Sequence, residues 1–451
     1  MGSLENADSN RPLNVLIVGC GLGKELCGGC RGLSCAIACL KEDLQVQIVE
    51  KAQELGEVGA GIQVPPNAVR VLDYYGLIPK IVDAGAIKIE EHSLLRYNDG
   101  RPIATRPGDE WLRKHFGHSW YVIHRADYHK VLLDEARRLG AVIKLDSEVR
   151  DVDFDQPSVI LASQERIHAD VIIGADGLRS VVRSKVLGYE SPPVETGDLA
   201  YRATIPRSRV EDLDPSLQDS ALRAWLGPRQ HAVLYPVRNK TVFNLVLLMG
   251  SKARRAQPDQ LQEPANAIVS SRLTALIAQV DNVLKWKICH MDELDTWCKG
   301  PVALLGDACH PSLPYQAQGA AMAVEDGAAL GVLLGRLSKS PFVKPADRSS
   351  KIPGVLKLYE SLRKKRTTVN VQGAIQNQEM YHMADGPECD ARNEAFAKVD
   401  WNDPQSKFKW GWGNLGYLKE LMGFDTIADA AQQFDEWVVQ DEQSRAASAK
   451  I

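Results

Sequence analysis

Three acids, two of them beside glycines, are the residues of this chain best suited to chemistry. Glu50 closes the apolar run Val46 to Val49, Asp176 lies in Gly174-Ala175-Asp176-Gly177, and Asp307 follows Gly306 at the end of Val302 to Leu305. Upstream of Glu50, Val-Leu-Ile-Val runs into Gly19-Cys20-Gly21-Leu22-Gly23, and a further glycine, Gly32, stands 18 residues before Glu50. Glycines in such a turn let backbone approach a pyrophosphate and let a helix pack closely on a strand, and a carboxylate about 20 residues further on accepts ribose hydroxyls. The chemistry of this set is the grip on a dinucleotide.

Positioning these residues takes a strand, a helix and a second strand. Residues 15 to 18 read as a buried strand. Leu33 to Asp43 read as a helix with Ala36, Ile37, Cys39 and Leu40 on its apolar stripe, its N-terminal amides facing phosphate. The segment Lys24 to Arg31 interrupts this pattern, and without it Gly23 would adjoin Gly32 and the fingerprint would be continuous. It reads either as an inserted loop that leaves the turn intact or as a misassembled splice that impairs it. Cys27 and Cys30 within it have the CxxC spacing of zinc and redox sites. With no second CxxC and no paired histidines, four ligands are not assembled, so the loop reading is favoured and no metal is expected.

The 451 residues, formal charge of -4 and 44% hydrophobic content fit an enzyme of two or three domains with a sizeable core. No basic cluster offers a nucleic-acid footprint. No apolar run reaches the ~18 residues of a membrane span, and Met1 to Arg11 lacks a signal-peptide core, so a cytoplasmic location is expected. Nine scattered cysteines read as reduced core thiols.

Further along, residues 55 to 70 form a glycine-rich turn through Gly61 and then a helix from Pro66. In Ile123-His124-Arg125-Ala126-Asp127, Asp127 is placed to cap a helix over Tyr128 to Leu139, with Arg125 at its entrance. Arg179 and Arg183 follow Asp176 and could meet phosphate. After Asp307, the stretch Gly319-Ala320-Ala321 opens a helix bearing Glu325 and Asp326, with amides suited to an electron-poor ring. Alternating runs at Ala221 to Leu226, His231 to Val237 and Val242 to Met249 read as an antiparallel sheet. From about 355 the chain reads as helical, with Trp401, Trp410, Trp412 and Tyr417 in an aromatic cluster read as packing, and a last amphipathic helix over Thr426 to Val439.

On these three separated motifs, over about residues 13 to 370, the chain resembles the single-component flavoprotein aromatic hydroxylases, in particular their fungal salicylate hydroxylase-like branch. The resemblance implies an α/β fold with a Rossmann-like FAD-binding domain of the glutathione-reductase type, built from 13–190 and 286–370. It also implies an interleaved antiparallel-sheet substrate domain at 191–285 and a helical C-terminal extension at 371–451. Gly19, Gly21 and Glu50 would hold the adenosine half of FAD. Gly61 and Arg125 would contact the flavin, Asp176 would meet FAD and NAD(P)H, and Asp307 would meet the ribityl and phosphate portion. Pro311, Gly319 and Ala320 would line the isoalloxazine. Arg202 and Tyr235 would serve the phenolic substrate, Arg202 by stabilising a phenolate and Tyr235 by orienting it. Without the resemblance, both read as ordinary strand residues.

The implied activity is hydroxylation of a small phenolic or polyketide-derived aromatic in secondary metabolism. NADH or NADPH reduces FAD, and dioxygen then forms a flavin C4a-hydroperoxide that delivers hydroxyl to the ring. Two alternatives stay open: another flavin oxidoreductase, such as an epoxidase, and an impaired paralogue disabled by residues 24–31. Substrate, coenzyme preference and oligomeric state are not written in the sequence.

Overall fold

In the computed structural model, the residues described are 11–21, 31–54, 60–213, 217, 219–250 and 270–448, with side chains described through 443. Most of the inserted segment, including Cys27 and Cys30, lies outside them.

Near-continuous apolar runs fold into strands buried on both faces. Asn14–Val18, Gln45–Val49, Val142–Lys144, Val171–Gly174 and Val302–Leu304 pair in parallel, and Cys298–Lys299 adds an antiparallel edge. The helices Arg31–Lys41, Arg125–Arg138 and Gly319–Lys339 pack beside this sheet. Small residues set the approach of two of them: an added β-carbon at Gly327 would stand 2.8 Å from Cys35 and one at Gly331 2.8 Å from Ala38. Helix Arg31–Lys41 is described from two residues before the position expected from the stripe.

A second sheet has seven strands in the order Leu284–His290, Val194–Pro206, Val242–Met249, Gln230–Val237, Ala221–Gly227, Glu91–Arg96 and Pro102–Pro107. The antiparallel expectation holds for the strands after residue 190. Two strands from before residue 110 extend the same sheet, with Glu91–Arg96 running parallel to Ala221–Gly227. The long helix Arg348–Tyr381 and the helix Thr426–Ser448 close the C-terminal side. Among the described residues, no helix is long and apolar enough to cross a membrane.

The expectation that Asp127 caps its helix is not met. The helix starts at Arg125, with His124 at the cap position and no side-chain cap. Asp127 instead accepts from Arg238 Nε at 2.8 Å and Nη2 at 3.0 Å, tying the helix to the second sheet. A fork of two charge-assisted hydrogen bonds outcompetes a single cap. The seven described cysteines are all free, and six of them are buried.

Candidate active site

The first parallel strand ends in a turn that only glycine accommodates well. Gly19 and Gly21 take φ of +98° and +81°, in the region where a β-carbon is penalised. A β-carbon on Gly32 would lie 2.0 Å from the Gly19 carbonyl oxygen. Gly32 therefore performs the close-packing role of the last fingerprint glycine despite the eight residues inserted before it. Glu50, 4% exposed at the end of the neighbouring strand, accepts from Cys20 N at 2.9 Å and Gly21 N at 3.3 Å. The acid and the turn are thus joined directly.

Asp307 sits in a single 3₁₀ turn, Gly306–Ala308, opposite the fingerprint. The turn is held from behind: Asp326 Oδ2 accepts from Gly306 N at 3.2 Å and lies 2.6 Å from His310 Nε2, and Asp326 Oδ1 accepts from Arg363 Nε at 2.8 Å. Burial alone would raise the Asp326 carboxyl, but His310 and Arg363 outweigh it and hold the pKa at about 2. Gly319 and Ala320 open the 21-residue helix Gly319–Lys339, its N-terminus beside the Arg31 guanidinium.

Asp176 is occupied locally. It accepts from Ser180 Oγ at 2.5 Å, Val181 N at 2.7 Å and Val182 N at 3.1 Å at the start of helix Val181–Leu187, and burial pushes its carboxyl upward. Arg183 is not available to phosphate. It is buried and donates to the carbonyls of Ala308, Leu178 and Ser191, so it braces the turn after Asp307. Arg125 is buried at the start of its helix, where its N–H donates to Ala60 O at 2.9 Å.

These residues fit FAD. The turn glycines would leave room for a diphosphate, Glu50 would be the acid available to a ribose, and Asp307, ion-paired with Arg31, would lie near both helix N-termini. Arg31 is the buried cation of that ion pair.

Next to this cradle, the loop Pro314–Ala317 and one face of the seven-stranded sheet enclose a cavity. The ladder fixes which side chains share that face. Arg106 is opposite His92, and His92 opposite Leu222; Ala104, Leu94, Ala224 and Val233 form the next row. All line the cavity, together with His231, Tyr315, Tyr381, Trp401 and Trp412.

Arg106 is 2% exposed, and Nε, Nη1 and Nη2 all lack a hydrogen-bond partner among the described residues. Its guanidinium lies 4.8 Å from the ring centre of Trp412, 5.5 Å from Trp111 and 5.9 Å from Trp120. Burial lowers its pKa to about 9, so it stays charged at neutral pH. His92 meets Trp120 edge-on at 4.8 Å and is held neutral by burial and by Arg106.

On the opposite wall, His231 Nδ1 lies 2.8 Å from His382 Nε2. Burial and the neighbouring His382 push the His231 imidazole well below its usual range, and burial takes His382 to about 4. Both rings are neutral at pH 7.

The two residues expected to serve the substrate share the cavity's face of the sheet but not its lining. Tyr235 is buried, pairs across the ladder with Asn244, and has its ring against Gly61, where an added β-carbon would stand 2.4 Å from the tyrosine ring. Burial drives its hydroxyl pKa upward, while Arg202 and Asn244 oppose the shift. Gly61 N donates to Asn244 Oδ1 at 2.7 Å, which links the strand Gly61–Val64 to Tyr235. Arg202 is opposite Val246, and Val246 opposite Val233, so Arg202 stands two strands, or roughly 10 Å, beyond the cavity wall. Its guanidinium lies 5.5 Å over Trp286.

Sequence reasoning missed Arg106 and His92. The alternation in Pro102–Pro107 and the nearby Trp111 and Trp120 were the local signals. The third wall of the cage, Trp412, lies about 300 positions away in sequence and leaves no local trace.

Comparison with known proteins agrees with this geometry. Residues 13–340 match the family model described as FAD binding domain. The chain is 34% identical over 447 residues to the FAD-dependent monooxygenase OpS4 of Beauveria bassiana, covering 95% of this chain and 98% of that one. It is 35% identical over 410 residues to 3-hydroxybenzoate 6-hydroxylase 1 of Aquipseudomonas alcaligenes, covering 88% and 96%. A solved salicylate hydroxylase substrate complex superposes with a TM-score of 0.72 at 22% identity, covering 94% of this chain and 98% of that one. With an FAD cradle on a parallel sheet, an enclosed aromatic cavity beside it and full-length relatives of this kind, the chain belongs to the FAD-dependent aromatic monooxygenases.

Proposed function

We propose that this enzyme hydroxylates a small phenolic or polyketide-derived aromatic acid, taken as its anion, with NADH or NADPH as reductant and dioxygen as oxidant. The observation that carries the substrate class is Arg106. A buried guanidinium with no hydrogen-bonding partner is costly by several kcal/mol, and a carboxylate in the adjoining cavity would satisfy two of its nitrogens in a bidentate pair.

Bound FAD would supply the redox chemistry, with two electrons drawn from NADH or NADPH, one oxygen atom of dioxygen entering the ring and the other leaving as water. The chain supplies the rest. Arg106 anchors the acid, and the indole cage around it excludes water and strengthens the pairing by keeping the local dielectric low. The aromatic body of the substrate then lies toward Pro314–Ala317, the loop that leads into the Gly319 helix. His231, neutral and in the cavity wall, can hold the phenol hydroxyl by a hydrogen bond, with His382 behind it fixing the ring. Tyr235 and Arg202, expected to meet the phenol directly, take a supporting part instead: Tyr235 packs on Gly61, whose N–H donates to Asn244, and Arg202 contributes positive potential from its neighbouring strand.

The test compares binding of hydroxybenzoates and their methyl esters, read by perturbation of the flavin absorbance, in the native enzyme and in Arg106→Met. Native enzyme should prefer the acids, and the variant should lose about 2–3 kcal/mol, roughly 30–150-fold, on the acids alone. Equal losses on acids and esters would contradict the anion reading.

A further inference from the structure

We propose that Arg31 is an internal latch on the cofactor cradle: in the cofactor-free chain its guanidinium occupies the diphosphate position, paired with Asp307, and FAD enters only by displacing it. The inference rests on membership of the FAD-dependent family and goes beyond it, since an uninterrupted fingerprint would place Gly23, which has no side chain, immediately before Gly32.

Four observations converge on this residue. Arg31 is the first residue of its helix and is 1% exposed. It forms an ion pair with Asp307, yet none of its nitrogens meets hydrogen-bond geometry. Its path is fixed by absent side chains: a β-carbon on Gly306 would stand 2.6 Å from Arg31 Cδ, and one on Gly319 3.9 Å from Arg31 Nη2. Lastly, the helix has no room to shift toward the first strand, since a β-carbon on Gly32 would lie 2.0 Å from the Gly19 carbonyl oxygen. The guanidinium is therefore held between the fingerprint helix, the Gly306–Ala308 turn and the Gly319 helix, the place a diphosphate needs. A doubly negative diphosphate competes with Asp307 for the cation and with the cation for the space.

A latch acts by population. If only a fraction of cofactor-free molecules has Arg31 out of the cradle, the apparent affinity for FAD is reduced by that fraction. Removing the side chain abolishes this penalty, whereas removing a diphosphate anchor would weaken binding, so the two roles have opposite signs.

The experiment follows association of FAD with full-length apoprotein by stopped-flow quenching of flavin fluorescence, in the native chain, Arg31→Gly and Arg31→Gln. Circular dichroism establishes that each is folded, and Arg31→Gln serves if the glycine variant does not fold. Both variants should bind about tenfold faster or more. A second readout is independent of turnover and of association kinetics: losing the pair should lower the melting temperature of the apoprotein and spare that of the FAD-bound form. Native chain that binds no FAD beside variants that do would be the limiting case of a closed latch. Unchanged or slower association in both variants, or no binding by any of the three, would overturn the proposal.

Discussion

The carbonyl oxygen of Gly19 occupies the space that a side chain on Gly32 would need, 2.0 Å from the ideal β-carbon position. This contact joins the end of the first strand to the first turn of the first helix across residues 24–31. It shows how the first and last glycines of a fingerprint broken in sequence still meet in space.

Replacing Gly32 with alanine is therefore expected to force the helix off the sheet. The cost should be about 1–3 kcal/mol of stability, in line with overpacking elsewhere, with loss of FAD binding because both turn and helix N-terminus move. Denaturant unfolding of apoprotein and FAD titration check the two effects. Alanine tolerated in both would mean that helix and strand do not meet as described.

A second expectation concerns the buried charges behind Asp307. Arg363 Nη2 donates to Glu325 Oε2 at 2.7 Å and Arg363 Nε to Asp326 Oδ1 at 2.8 Å, and Arg363 is 1% exposed. Arg363→Met keeps the volume but leaves two buried carboxylates short of a cation. The expected loss is about 3–5 kcal/mol, measured by denaturant unfolding. A loss below about 1 kcal/mol would show that Arg366 and His310 suffice without it.

The His231–His382 pair gives a pH dependence with a definite sign. Both imidazoles titrate below their ordinary range in the folded enzyme, His382 at about 4. The unfolded chain, with ordinary histidines near 6.5, takes up protons first as pH falls. Stability from this pair is complete above that value and declines as pH drops toward 4. His382→Gln should make the decline shallower in unfolding curves taken across that window, and an unaltered slope would place the protonation elsewhere.

Much of the cofactor side was legible in the sequence because its signals are local. The alternation of strand, glycine turn, helix and acid fits within about 40 residues, and Gly306-Asp307 and Gly319 fall within one turn and the next helix. The substrate side was not legible to the same degree. Arg106 becomes distinctive only when Trp111, Trp120 and the distant Trp412 close around it, and His231 only when His382 reaches it from the far end of Arg348–Tyr381. Asp127 misled for the opposite reason: the cap grammar was present, but a distant arginine made the better partner.

The most direct measurement is mass spectrometry of products formed under ¹⁸O₂ from matched hydroxylated benzoic acids and their methyl esters, with NADH or NADPH supplied. The expected result is one ¹⁸O atom added to the ring of an acid, little product from its ester, and loss of that preference in Arg106→Met. Products from acid and ester in equal yield, or oxygen drawn from water, would contradict the reading of this enzyme as a monooxygenase that recognises its aromatic substrate as an anion.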